Sequence, residues 1–279
     1  MRCLAERSFG SVRVVSGGRT APPRPRAVAH ILGPLAGCVG KATTRVLLSR
    51  VRNELREFGL LPFTDREVPS VVSIVAGAPV SGSWWGHPAG QSIYEIGEAV
   101  GADLNILVVR LWRGKLTLVH RRLWPALVRI GKARAPWQVD GLGVVTSQLL
   151  SHIESEGTVR SDQLATDFSF GAQGLKPALR SLETRLLVLT RSVHTQSGAH
   201  ALNAESWDAW AARTRTPWFS GSVESAQRAF EDSARRLTPR IDPGAWLPWG
   251  RPGRRASYHV RPSTSRPVGP WPSRRGLIS

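Results

Sequence analysis

Twice along this chain the spacing of apolar side chains switches from the three- and four-residue rhythm of an amphipathic helix to strand-like runs, and then switches back. Leu47, Leu48, Val51, Leu55 and Phe58 mark one face of a helix that ends near Gly59. Thr64-Asp65-Arg66-Glu67 has capping-box spacing ahead of Val71, Val72, Ile74 and Val75, so a second helix is predicted there, with Pro69 interrupting its start. After a Gly/Pro/Ser/Trp-rich loop over residues 77–90, Ile93, Ile96 and Val100 predict a third helix closed by Gly101. Residues 104–111 and 116–120 are then β-rich, separated by Trp112-Arg113-Gly114-Lys115, where glycine supplies the positive φ of a tight hairpin turn. Leu123, Trp124, Leu127, Val128 and Ile130 return to helical spacing.

The second half repeats this order. Leu149, Leu150 and Ile153 predict a helix ending at Gly157, Ser161 or Asp162 caps a short one, and Leu175, Ala178, Leu179 and Leu182 define a third. Strands at 186–194 and 199–203 flank a turn at Gln196-Ser197-Gly198, and Asn203 is the expected cap of a helix carrying Trp207 and Trp210. The expected fold class is α+β, mainly helical. It consists of two consecutive units of three helices, a β-hairpin and a helix, over residues 46–135 and 143–215, related by duplication. Residues 1–45 and 216–279 fall outside these units, the latter as a helix remnant and an Arg/Pro-rich tail. Both ends read as disordered by composition. Met1 is the only methionine, so initiation near Val46 would leave residues 1–45 untranslated.

The formal charge of +18 is concentrated at those ends: residues 1–45 and 238–279 each carry +7, and residues 46–237 only +4. The basic residues are 34 Arg against 4 Lys, a skew that a GC-rich genome produces by itself. Charge alone therefore argues weakly for a nucleic-acid partner. Cys3 and Cys38 are the only cysteines, which supports neither a disulfide framework nor a cysteine zinc site, and the expected compartment is the reducing cytoplasm. Leu35-Ala36-Gly37-Cys38 has lipobox form, but His30, Pro34 and the long Arg/Pro-rich leader argue against lipidation. No apolar run reaches the roughly 18 residues of a membrane span.

From about Gly143 to Asn203 the element order resembles a winged helix-turn-helix domain, and the first half resembles a second copy. The resemblance implies binding of double-stranded DNA, with the third helix in the major groove and phosphate contacts from flanking elements. Mapped residue by residue, the reading helix is 173–184 with Gln173, Lys176 and Arg180 on its polar face, and the wing is 191–200, beginning at Arg191. Pro177 departs from the pattern by interrupting that helix. In the first half, residues 104–139 hold eight basic residues and no Asp or Glu, with Trp112, Trp124 and Trp137 interleaved. Arg113, Lys115, Arg121 and Arg122 are the expected phosphate contacts, set against the plainer reading of packed tryptophans and a solvated basic face.

Tandem winged helices with the loop Ser83-Trp84-Trp85-Gly86-His87-Pro88 are also similar to bacterial winged-helix DNA glycosylases. That family carries a Gln-x-Gln or Gln-x-Asp signature, the second form of which is matched here by Gln138-Val139-Asp140 in the linker. The resemblance makes His87, Gln138 and Asp140 candidate catalytic residues of a repair enzyme; a protein-interaction scaffold is the third reading, and a binding protein is preferred to an enzyme. His120 stands beside Arg121 and Arg122, and His194 and His200 bracket the second wing without a carboxylate or cysteine to complete a metal site. Neither metal nor cofactor is expected, because Gly141-Leu142-Gly143 is no dinucleotide fingerprint and phosphate-loop, nucleophile-elbow and His-Glu-x-x-His motifs are missing.

Overall fold

The computed structural model describes residues 33–167, 171–194, 200–239 and 242–250, and the chain divides into two units, 1–41 and 42–279. Among the described residues the first unit holds only the opening turns of α1 (Gly33–Phe58); the remaining elements belong to the second. There α1 buries Val51 and Leu55 and stops at Gly59, whose φ of +87° and N–H to the Leu55 carbonyl (2.8 Å) form a left-handed helix end suited to glycine. Strand β1 (Leu60–Pro62) follows at once, with all three residues buried.

Helix α2 (Val71–Ala76) starts later than the Thr64 spacing predicts. Its N-cap is Ser70: the Ser73 N–H donates to the Ser70 hydroxyl at 3.1 Å and the Ser70 N–H to the Ser73 hydroxyl at 2.9 Å. Pro69 explains the delay, because proline disfavours helical geometry in the residue before it. Helix α3 (Gly90–Gly101) buries Ile93, Ile96 and Val100, as their spacing predicts. Strands β2 (Ile106–Arg110) and β3 (Leu116–His120) pair antiparallel, Ile106 opposite His120 and Arg110 opposite Leu116. In the turn between them Arg113 and Gly114 both have positive φ (+52° and +69°), and the Lys115 N–H donates to the Trp112 carbonyl at 2.8 Å. This type I′ geometry matches the twist of its strands. β1 joins the free edge of β3, giving the order β1-β3-β2, and α4 (Trp124–Gly131) follows.

A short helix α5 (Pro136–Val139) leads to the second series: α6 (Val144–Glu156), β4 (Thr158–Arg160), α7 (Ser161–Asp167), α8 (Gly171–Thr184), β5 (Leu189–His194), β6 (His200–Glu205) and α9 (Trp207–Thr214). Its sheet has the order β4-β6-β5, again antiparallel. The described residues are thus α+β and mainly helical, with two three-stranded antiparallel sheets among them. Asn203 is not a helix cap: it lies within β6, paired in register with both Arg160 and Arg191. Pairing with β4 extends the strand to Glu205, so α9 begins only after Ser206, whose hydroxyl accepts the Ala209 N–H at 3.3 Å. α8 runs through Pro177.

Two hydrophobic cores result, and their membership departs from the expected boundaries. One lies wholly within the second series, from Leu149 to Ala204. The other joins the first series to Leu186, Leu189, Trp207 and Trp210, and to a helix α10 (Val223–Leu237) that buries Ala226, Phe230, Ala234 and Leu237. α10 packs on α4 and β1. Beyond it, Leu247 is buried and Trp246 and Trp249 pack against the same core, Trp246 meeting the Trp112 ring edge-on at 4.9 Å. Residues 242–250, expected in an unfolded tail, are therefore held by aromatic contacts. The helices after the two hairpins also meet: Trp210 lies edge-on to Trp124 at 5.0 Å, and Trp207 covers Gly131 while donating its indole N–H to the Leu186 carbonyl at 2.7 Å.

Candidate nucleic-acid interface

At the tip of the first hairpin the two expected phosphate contacts are engaged within the protein. Lys115 Nζ lies 2.8 Å from Asp65 Oδ2, whose side chain is fully buried. Burial pushes the Asp65 carboxyl up, but the hydrogen bond from Lys115, the Glu67 N–H and the charges of Lys115 and Arg113 outweigh it and hold its pKa below the usual carboxylate range. Arg113 Nη1 donates to Glu67 Oε1 at 2.8 Å, its guanidinium stands 3.5 Å from the Trp246 ring centroid, and its N–H donates to the Trp246 carbonyl at 2.8 Å. The fold therefore uses these cations to fasten the hairpin to the loop before α2 and to the segment after α10. They do not project freely toward a phosphate.

Arg121 and Arg122 lie at the other end of β3, roughly 20 Å from the tip at about 3.3 Å per residue. Arg122 donates to the carbonyls of Arg56 (2.7 Å) and Glu57 (2.8 Å), and Arg236 to that of Phe58 (3.5 Å), so both cap the electronegative end of α1. Arg121 Nη1 reaches Asn105 Oδ1 at 3.1 Å and Arg56 Nη1 reaches Asn53 Oδ1 at 3.1 Å, neutral partners that leave both charges uncompensated by those bonds. His120 Nδ1 accepts the Arg122 N–H at 3.4 Å. Burial, with the charges of Arg122, Arg56 and Arg121, holds the His120 imidazole below its ordinary pKa against the opposing pull of Asp103. Burial and Arg236 likewise depress the Arg122 guanidinium. This cluster gathers four arginines at one end of β3, of which sequence reasoning found only Arg121 and Arg122. Arg56 and Arg236 join it through contacts spanning 66 and 178 residues, beyond any local pattern.

On α8, Leu175, Ala178, Leu179 and Leu182 are buried while Lys176, Pro177 and Arg180 are exposed. Arg180 Nη1 lies 3.2 Å from Glu183 Oε2, which also takes Arg110 Nε of β2 at 2.8 Å, while Glu183 Oε1 accepts the Thr190 hydroxyl at 2.7 Å. Burial raises the Glu183 carboxyl, opposed by Thr190 and Arg180. The end of α8 is thereby docked on the first sheet and its outer face left open. Arg191 is exposed on β5, one residue after Thr190; strand alternation turns it to the face opposite the one that meets α8. The Gln173 side chain lies outside the described residues, as do those of His194 and His200, which pair in register across the second hairpin. The corresponding helix of the first series, α3, exposes Gln91, Tyr94, Glu95 and Glu98, an acidic face.

The three candidate catalytic residues are each engaged in bonds within the protein. Gln138 is fully buried: Oε1 accepts the Ala135 N–H at 3.0 Å and Nε2 donates to the carbonyls of Arg185 (3.2 Å) and Gly131 (3.4 Å). It bonds the linker to both halves. The Asp140 carbonyl accepts from Arg185 at 2.7 Å, and His87 Nδ1 accepts the Ala89 N–H at 3.1 Å within its own loop. The interleaved tryptophans are packing residues: Trp112 and Trp124 are buried, and Trp137 is partly buried against Trp249. Among the described residues no group of three or more His, Cys, Asp or Glu could hold a metal ion, and no helix is long and apolar enough to cross a membrane. No protein-family model, curated protein or solved structure matches this chain.

Proposed function

We propose that the chain is a double-stranded DNA-binding protein of two winged-helix units, in which the second reads the duplex with α8 and the first serves mainly as a scaffold. Two features support the winged-helix reading. The order helix, strand, two helices, hairpin occurs twice, and each time the early short strand pairs with the second strand of the hairpin. The observation that carries the functional reading is the open face of α8, where Lys176 and Arg180 remain exposed although the end of the helix is docked on β2. The acidic face of α3 and the compensated hairpin tip favour a scaffold role for the first unit, since both repel or ignore a phosphate backbone. Arg56 and Arg121, whose side-chain hydrogen bonds among the described residues go to neutral asparagines, supply additional backbone contacts. Base excision draws no support from the buried, fully bonded Gln138.

Binding of the full chain to duplex DNA, measured across a salt series, tests this. Affinity should fall steeply with salt, and Lys176→Ala with Arg180→Ala should weaken binding about 10- to 100-fold. Arg121→Ala should flatten the salt slope by about 0.9. Arg122 is unsuited to the same test because its loss uncaps α1. Salt-independent affinity, or binding untouched by the α8 substitutions, overturns the assignment.

A further inference from the structure

The loop before α3 builds an aromatic row whose inner rings, Phe63 and Trp84, pack against the first core, while its outer rings, Trp85 and Tyr94, stand exposed and outside DNA reading by α8. Trp84 and Trp85 stack at 4.1 Å with an interplanar angle of 23°, Trp84 rests edge-on against Phe63 at 6.0 Å, and Tyr94 continues the row at 5.8 Å from Trp85. Trp85 is 65% exposed and Tyr94 44%. The platform is held in place by its own loop: the His87 N–H donates to the Trp84 carbonyl (3.1 Å), the Gly90 N–H to the His87 carbonyl (2.7 Å), and His87 Nδ1 takes the Ala89 N–H. A Cβ on Gly90 would stand 3.0 and 3.1 Å from the Trp85 and Trp84 carbonyl oxygens, so a side chain there would press on the turn.

Carboxylates adjoin these rings. Glu98 lies one helical turn after Tyr94, and Glu95 is its neighbour in sequence. Glu95 accepts from Gln91 (2.9 Å) and Thr44 (3.4 Å), whereas the Glu98 side chain has no hydrogen-bond partner among the described residues. Exposed rings alone would suit unpaired bases, but carboxylates beside them repel phosphates. A guanidinium satisfies both, because it stacks on an aromatic face while its donors fork to a carboxylate. Among the described residues Arg113 already makes this arrangement, lying over Trp246 with its Nη1 on Glu67. Trp85 and Tyr94 offer the rings and Glu98 the carboxylate, and among the described residues no cation–π pair is made to these rings.

We propose that the Trp84–Trp85–Tyr94 platform, with Glu95 and Glu98, docks an arginine-bearing extended segment of a partner protein. The inference is independent of DNA reading by α8. A short synthetic peptide of alternating arginine and proline, titrated into the full chain with tryptophan fluorescence as readout, tests it. A matched peptide with glutamine for arginine and an oligothymidine serve as competing probes. The arginine peptide should bind, and Trp85→Ala or Glu98→Gln should each weaken it at least about tenfold, with the glutamine peptide silent. The same titration into a chain whose seven arginines within residues 251–279 are changed to glutamine identifies the occupant. Binding in both chains supports a partner, and binding only in the substituted chain overturns it in favour of the protein's own C-terminal segment. Binding in neither, binding that ignores Trp85→Ala, or tighter Trp85-dependent binding of the oligothymidine also overturns it.

Discussion

Lys115 sits beside the turn of an exposed hairpin, yet its ammonium reaches a carboxylate whose side chain has no exposed surface. The physics of the pair lies mostly with Asp65: taken out of water, that carboxylate stays ionised because Lys115 and the Glu67 N–H reach it. Its folded pKa is held below the unfolded value of about 3.9. The pair's contribution to stability is therefore fully present above that value and is lost as pH falls through the folded one. Asp65→Asn should lower stability by about 1–3 kcal/mol at pH 7, and the difference from the parent protein should vanish progressively in acid below about pH 4. Urea melts of both proteins over a pH series check this; a difference that persists unchanged into acid would show that Asp65 acts by packing instead. Arg122 follows the same rule, its two donors serving carbonyls at the end of α1. Residue type and charge were plain in the sequence, but not these partners, because Asp65 and Lys115 are 50 residues apart.

At the scale of elements, local chemistry was legible where it is strong. The Arg113-Gly114 turn, the face of α3 and the buried stripe of α8 all follow from their residues. β1 and β4 did not, because three residues are too few to display alternation and both strands are fixed by pairing with the far edge of a hairpin. α10 was underestimated for another reason: alanine and serine occupy three of its five buried positions, diluting the apolar signal that Phe230 and Leu237 carry. The seam between α4 and α9 depends on a residue without a side chain. A Cβ at Gly131 would lie 2.2 Å from the Trp207 ring, whereas one at Gly101 meets nothing within 4 Å. Gly131→Ala should cost about 3 kcal/mol by overpacking, and Gly101→Ala should leave the melting temperature nearly unchanged. Equal melting of the two variants would mean that the seam yields without cost.

For the whole molecule, the basic side chains are dispersed: the hairpin-tip cations are paired, Arg121 and Arg122 lie at the hairpin's other end, and Arg191 faces away from α8. What remains is a body whose two hydrophobic cores meet at Leu186–Leu189, where Leu186 and Leu189 belong to the first core and Leu187 and Val188 to the second. Such contact predicts a single cooperative unfolding transition, with tryptophan fluorescence and far-ultraviolet circular dichroism coincident. Trp207→Ala should shift both probes together, destabilising by about 3–5 kcal/mol. Two separated transitions would mean that the halves fold as independent domains.

The return of α10 and Leu247 to the first core also sets an order of events during synthesis. A ribosome that has released the chain as far as Ala204 has delivered every buried residue of the second core, while the first still lacks Trp207, Phe230, Leu237 and Leu247. The half translated first is thus the half completed last, and until those residues emerge its nascent apolar face is exposed to chaperones.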